Sequence, residues 1–284
     1  MEEESAILSP PTAANALDES ALSIVPYTVN DHKRTSDRTK LKLLPEREFF
    51  FPGLGEVDRK VVVKQEWKLD GRGGTELGFG SAVYPAAVAL SFMLAGRKHL
   101  DLRGKRVLEL GTGTGLVGIC ASMCCDAAFV CATDGDDATV RLADDNFRAN
   151  TIPTEAYSTG RLMWGPLPLE TIAEWEARAG GPFEVVIASD VVALPYKESL
   201  PLLLQTLLEL RNRFRLGHKS HQSEEEEARS RFEILLAYTP RSATEEEFFE
   251  WLRQESFTVT RLEGGDVLHP DFADDDSVQI FSIT

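Results

Sequence analysis

A chain of 284 residues with 43% apolar content has enough material for the core of one large α/β domain and an N-terminal extension. The 30 Lys and Arg are outnumbered by 46 Asp and Glu, a formal net charge of −16. That argues against nucleic acid as a partner, because affinity for a phosphate backbone rests on cationic side chains. The charge suits a basic protein surface or serves solubility alone, since much of the acid sits in loop-like stretches at Glu224–Glu227 and Asp274–Asp276.

The start MEEESAILSPP has acids where a secretory signal needs a basic segment, and no apolar run reaches bilayer-spanning length. An intracellular protein is expected, cytoplasmic or also nuclear, with no membrane partner. Met1 to about Arg38 is polar, contains Ser and Pro and lacks periodicity, so it reads as disordered or loosely attached. Residues 1–60 are therefore assigned to an N-terminal extension and 61–284 to the folded domain.

Val61 to Trp67 alternates toward its end like a strand, and a glycine-rich connection follows as far as Ser81. Pro85 opens a helix over AAVALSFMLAG, in the first turn, where its missing N–H does no harm. Lys105 to Leu110 then has the apolar run of a buried parallel strand, and Leu116 to Cys125 continues as a helix. Between them lie Gly111, Gly113 and Gly115, which allow positive φ and close backbone approach to a ligand.

Two cofactor readings fit this turn. Gly113, Gly115 and Gly118 with Asp134 downstream match a dinucleotide fingerprint, in which helix amides meet a pyrophosphate. Glu109 favours the other reading: S-adenosyl-L-methionine has a cationic amino group and a sulfonium but no phosphate, so a carboxylate at the strand end is useful to it. Glu109-Leu-Gly-Thr-Gly-Thr-Gly115 resembles the (E/D)-x-G-x-G-x-G first motif of class I methyltransferases.

Strands and helices then alternate. Strands are predicted at Ala128–Thr133, Ser158–Met163, Phe183–Ser189 and Phe232–Tyr238, with helices at Asp136–Asn150, Leu169–Ala179 and Ser199–Arg215. Thr244 and Glu247 form a capping box for the helix FFEWLRQE. Phe257–Leu262 and Val278–Ile283 are joined without a helical pattern, which allows an antiparallel pair. The result is a Rossmann-like, seven-stranded, mostly parallel, doubly wound sheet with an antiparallel C-terminal strand.

Cys120, Cys124, Cys125 and Cys131 fall in the apolar helix and strand after the glycine turn and make no C-x-x-C pair, so small core residues are expected. His218 and His221 lack further ligands at suitable spacing, and no metal is expected.

Ligands in such sheets bind beyond the carboxyl ends of the strands. Asp134 is placed there to accept ribose hydroxyls, and Trp164 to cover the adenine or serve the core. Asp136 and Asp137 suit the start of the next helix. Ser189 and Asp190 stand at the end of the fourth core strand, where a carboxylate or backbone carbonyl aligns an amine for methyl transfer. Ser189-Asp-Val-Val192 lacks the prolines of nucleic-acid adenine methyltransferases, a second argument against nucleic acid.

From about Val61 onward the chain resembles the family 16 methyltransferases, a group rich in protein-lysine methyltransferases. Gly80-Ser-Ala-Val-Tyr-Pro-Ala-Ala87 is similar to the family's G-x-x-V-W-x-A-A segment over the cofactor, with Tyr84 in place of tryptophan. LELGTGTGLVGI, ATDGDD, the pair Asn146 and Asn150, Trp164 and AYTPR (237–241) are similar to further family segments. The family's D-x-x-(Y/F) motif reads Asp190-Val-Val-Ala193 here, and Tyr196 is the candidate to replace the missing ring.

The resemblance implies a methyltransferase that holds S-adenosyl-L-methionine through Tyr84, Glu109, Gly111, Gly113, Gly115, Asp134, Trp164 and Ser189. Asp190 and Tyr196 would orient a lysine of a protein, with a translation factor or chaperone as the default substrate by resemblance only. The acceptor is expected to arrive through an acidic groove beside Asp190 and Tyr84. A small-molecule N- or O-methyltransferase and a cofactor-binding adaptor without turnover stay open. A monomer is the simplest reading of the oligomeric state.

Overall fold

The computed structural model describes residues 40–53, 58–67, 79–218, 232–241, 244–265, 267–269, 272 and 277–284. Outside these lie Met1–Arg38, most of the glycine-rich connection, His221, Glu224–Glu227 and Asp274–Asp276.

Five parallel strands form the centre: β3 (Arg106–Leu110), β4 (Phe129–Asp134), β5 (Tyr157–Arg161), β6 (Val185–Ser189) and β7 (Glu233–Tyr238). Two more, β8 (Val259–Leu262) and β9 (Gln279–Ile283), complete the order β5-β4-β3-β6-β7-β9-β8. β9 runs antiparallel between β7 and β8, so the predicted seven-stranded sheet with its antiparallel C-terminal strand is the fold observed.

Side chains alternate between two apolar layers, with Val107, Val130, Ile187 and Leu235 in one and Leu108, Cys131, Val186 and Leu236 in the other. Burial on both faces makes these strands read as continuous apolar runs. The first layer is completed by α1 (Pro85–Gly96), α2 (Leu116–Cys125) and Phe147 of α3 (Asp137–Ala149). The second contains α4 (Leu169–Ala179), α5 (Leu200–His218) and α6 (Thr244–Gln254). All four cysteines are buried in α2 and β4. Among the described residues no helix is long and apolar enough to cross a membrane.

Three local differences matter. The strand expected to reach Met163 stops at Arg161: Leu162 N–H still donates to Asp134 O at 2.9 Å, and Gly165 N–H then turns to Thr206 Oγ1 in α5 at 2.8 Å. Trp164 therefore sits in a turn and closes no strand. At α6, Thr244 is the first helical residue and its side chain lies outside the described residues, so the capping box is not seen. Finally, β1 (Glu46–Phe51), within the segment assigned to the extension, pairs along its length with β2 (Arg59–Lys64). Phe49, Phe51, Val61 and Val63 bury this hairpin against the first layer.

Asn146 of α3 and Asn150 at its C-cap hold β2 as a neighbouring strand would. Asn150 accepts Val62 N–H at 2.9 Å and donates to Val62 O at 2.6 Å; Asn146 accepts Lys64 N–H at 2.8 Å and donates to Lys64 O at 3.1 Å. Four helical residues advance about 6 Å, and two strand residues about 6.6 Å, so i, i+4 amides match i, i+2 peptides. Asn146 Nδ2 also donates to Thr114 O at 2.8 Å, linking the hairpin to the glycine turn. Replacing either residue by alanine leaves partly buried peptide groups without that partner and is expected to lower stability by about 1–3 kcal/mol. Urea unfolding of Asn146→Ala and Asn150→Ala checks this, and unchanged midpoints would remove the asparagines from the account.

Candidate active site

The turn from β3 into α2 needs its glycines for space as well as for φ. Gly111 has φ +66° and Gly113 φ +55°. A Cβ on Gly111 would lie 2.6 Å from Val191 Cγ1, and one on Gly113 would lie 3.1 Å from Gly80 O. Gly115, also at positive φ, is the N-cap of α2. Thr112 N–H donates to Thr133 O at 2.8 Å and Gly113 N–H to Asp134 Oδ2 at 3.1 Å, which fastens the turn to the end of β4.

Glu109 is not where the sequence argument puts it. Its carboxyl does not line the cavity but is buried beneath the turn, where it accepts Thr112 Oγ1–H at 2.6 Å and the Gly118 N–H. A Cβ on Gly118 would lie 2.5 Å from Glu109 Oε2, so this glycine makes room for the acid. Burial raises the Glu109 pKa to about 8, against the hydrogen bonds from Thr112 and Gly118. Burial thus favours the neutral acid, which braces the turn from below.

This has a pH consequence. A folded-state pKa raised above the ordinary 4.5 means that stability is fully present below the unfolded-state value and is lost as pH rises toward 8. The effect is at most about 5 kcal/mol. Glu109→Gln keeps an acceptor for Gly118 N–H and cannot ionise, so thermal unfolding is expected to show a flatter stability profile between these limits. A variant with the wild-type slope would contradict the assignment.

A cavity of about 930 Å³ opens above the turn, within the size of a small-molecule site. It is lined by Gly111, Gly113, Asp134, Trp164, Ser189, Asp190 and Tyr84 among others, so all but three of the predicted site residues converge on it. Of those three, Glu109 and Gly115 support the turn from below, and the side chain of Tyr196, in the 3-10 turn Leu194–Ser199, lies outside the described residues. Ala193 lines the cavity where the family has its aromatic ring.

Burial raises the pKa of Asp134, opposed by the N–H groups of Gly113, Asp136 and Gly135. Asp136 caps α3 by accepting Ala138 and Thr139 N–H, each at 2.9 Å, as expected.

Asp190 follows β6 with φ +54°, a conformation uncommon for a residue with a side chain and frequent at functional sites. Its Oδ1 accepts Thr239 N–H at 2.9 Å, and Arg241 spans both oxygens at 3.2 and 3.1 Å. Arg241 had no role assigned from sequence, although it closes the AYTPR segment. Trp67 and Lys42 also line the cavity; in the sequence Trp67 ends a strand-like segment and Lys42 stands in a stretch with no pattern. Among the described residues lining the cavity, the acids Asp134, Asp136 and Asp190 stand beside three cations, Lys42, Arg47 and Arg241, so the cavity itself carries no excess of acid.

A doubly wound sheet with its one antiparallel strand next to an edge, and a glycine turn facing an acid at the next strand's end, define a class I methyltransferase. The lysine methyltransferase family matches residues 63–255. Protein N-lysine methyltransferase METTL21A of Danio rerio is 32% identical over 180 residues, covering 59% of this chain and 73% of that one. EEF1A lysine methyltransferase 3 of Mus musculus is 31% identical, over 62% of this chain and 72% of that one. METTL21A of Xenopus tropicalis is 31% identical, over 66% and 74%. The chain belongs to the lysine methyltransferase family, and its cofactor is S-adenosyl-L-methionine.

The residues present fit that cofactor. A Cβ would crowd Val191 at Gly111 and the Gly80 backbone at Gly113, and the cavity above the turn is lined by the Asp134 carboxyl and the Trp164 indole.

Proposed function

We propose that this chain transfers a methyl group to the side-chain nitrogen of a lysine on a folded protein, with Asp190 aligning the amine. The bound cofactor supplies a methyl carbon made electrophilic by its sulfonium. The chain's work is then placement: Asp134 holds the ribose, Trp164 covers the adenine, and Ser189 and Tyr84 wall the space between them.

The observation that carries the reading is the Asp190 carboxylate, set at the end of β6 in the same cavity and fixed by Thr239 and Arg241. Arg241 offsets most of its charge. An ammonium entering the site therefore gains little by staying protonated, and desolvation favours loss of its proton.

Phe79, Met163 and Leu202 line the cavity and are 40%, 59% and 43% exposed, an apolar border better suited to a macromolecular surface than to an enclosed small substrate. The relatives, named for protein-lysine methylation, support the same reading over the small-molecule and adaptor alternatives.

Tritiated methyl transfer into a matched cell lysate tests the substrate class. Label in a protein band is the expected result. Label confined to small molecules would replace the protein acceptor, and S-adenosylhomocysteine binding without any label would identify an adaptor.

A further inference from the structure

Gln65 is buried, and its side chain joins two distant segments. Nε2 donates to the carbonyls of Leu41 and Leu44, each at 2.8 Å, and Oε1 accepts Val83 N–H at 2.8 Å. One amide thus grips the backbone on both sides of Lys42 and the residue before Tyr84. The consequence is a cation held against two ring faces: Lys42 Nζ lies 4.1 Å from the Tyr84 ring centroid and 4.9 Å from that of Trp67. Lys42, Trp67 and Tyr84 line the same cavity as Gly113 and Asp190.

We propose that Lys42 is a methyl acceptor of this chain itself, with the faces of Trp67 and Tyr84 as the subsite that holds an alkylammonium group. The proposal rests on the methyltransferase reading above and names a modification site within it. Ring quadrupoles attract an ammonium whether or not it is methylated, because methylation keeps the charge. Once Lys42 gives its proton to solvent, the rings hold the neutral amine less well and the side chain can turn. Its Nζ lone pair then forms the N–C bond as the C–S bond breaks, with that electron pair staying on sulfur. The methylammonium product carries the positive charge that the sulfonium loses, leaves S-adenosylhomocysteine, and fits the same ring faces.

Lys40, two residues away and exposed, is a built-in control. The purified full-length chain is incubated with S-adenosylmethionine, digested, and Lys40 and Lys42 are read separately in fragment spectra. Methyl groups on Lys42 and not on Lys40 are expected, at a rate per molecule that does not change on dilution. Equal methylation of both, or a rate that falls on dilution, overturns the proposal.

A second readout needs no cofactor. In an acylation footprint Lys42 should react several-fold more slowly than Lys40, and Trp67→Leu should close the gap; equal reactivity in the wild type overturns the subsite. If lysate proteins are labelled while Lys42 stays unmodified, this proposal alone fails. If neither is labelled and calorimetry shows no S-adenosylhomocysteine binding, the methyltransferase reading fails with it.

Discussion

Asp190→Ala is expected to lose methyl transfer by about 100-fold or more while S-adenosylhomocysteine still binds. The magnitude follows from the cost of a misplaced reactant when catalysis is largely positioning. The loss should fall on kcat, because the carboxylate is assigned to the acceptor nitrogen and not to the cofactor. Asp190 accepts one backbone N–H and both arms of Arg241, so its removal also deprives that guanidinium of its partner. Asp190→Asn controls for this, since it retains an acceptor for Thr239 N–H without the charge. It should fold like the wild type and transfer slowly. Collapse of cofactor affinity with normal turnover per bound complex would move Asp190 into the cofactor's own shell.

Asp134→Ala should weaken S-adenosylhomocysteine binding by about 1.5–3 kcal/mol through lost charge-assisted hydrogen bonds, roughly a 10- to 150-fold rise in Kd. Asp134 also accepts Gly113 N–H at 3.1 Å and Asp136 N–H at 3.3 Å, so the same change loosens the glycine turn against β4. Calorimetry at neutral pH separates these effects when Asp134→Asn is measured beside it. The asparagine can keep Gly113 in place and should bind with intermediate affinity. Wild-type affinity in Asp134→Ala would remove the ribose assignment.

The fold was legible because burial on both sheet faces writes itself as apolar runs, and because helix bounds such as Leu116–Cys125 and Leu169–Ala179 are set by periodicity and flanking glycines. β1 escaped although its pattern was present: Arg47, Phe49 and Phe51 turn inward, and Glu46, Glu48 and Phe50 alternate with them. Its charged start lies next to a long patternless stretch, and its partner β2 follows only after a connection.

The cavity lining was legible where residues sit at strand ends, as at Asp134, Ser189 and Asp190. Glu109 shows the limit of that reasoning. Its position before the glycines is visible in sequence, but only packing shows the carboxyl turned under the turn, against Thr112 and Gly118. Lys42, Trp67 and Tyr84 meet because a buried glutamine bonds three backbone groups across 42 residues, from Leu41 to Val83. Arg241 meets Asp190 across 51. Neither meeting leaves a periodic or compositional trace.

The most direct test labels a matched lysate with the wild-type chain and with Asp134→Ala side by side, then locates the methyl group by mass spectrometry of the labelled protein. The methyl should sit on a lysine side chain, with labelling strongly reduced by Asp134→Ala. Placement on histidine, arginine or a terminal amine, or labelling indifferent to Asp134, would contradict lysine methylation at this cavity.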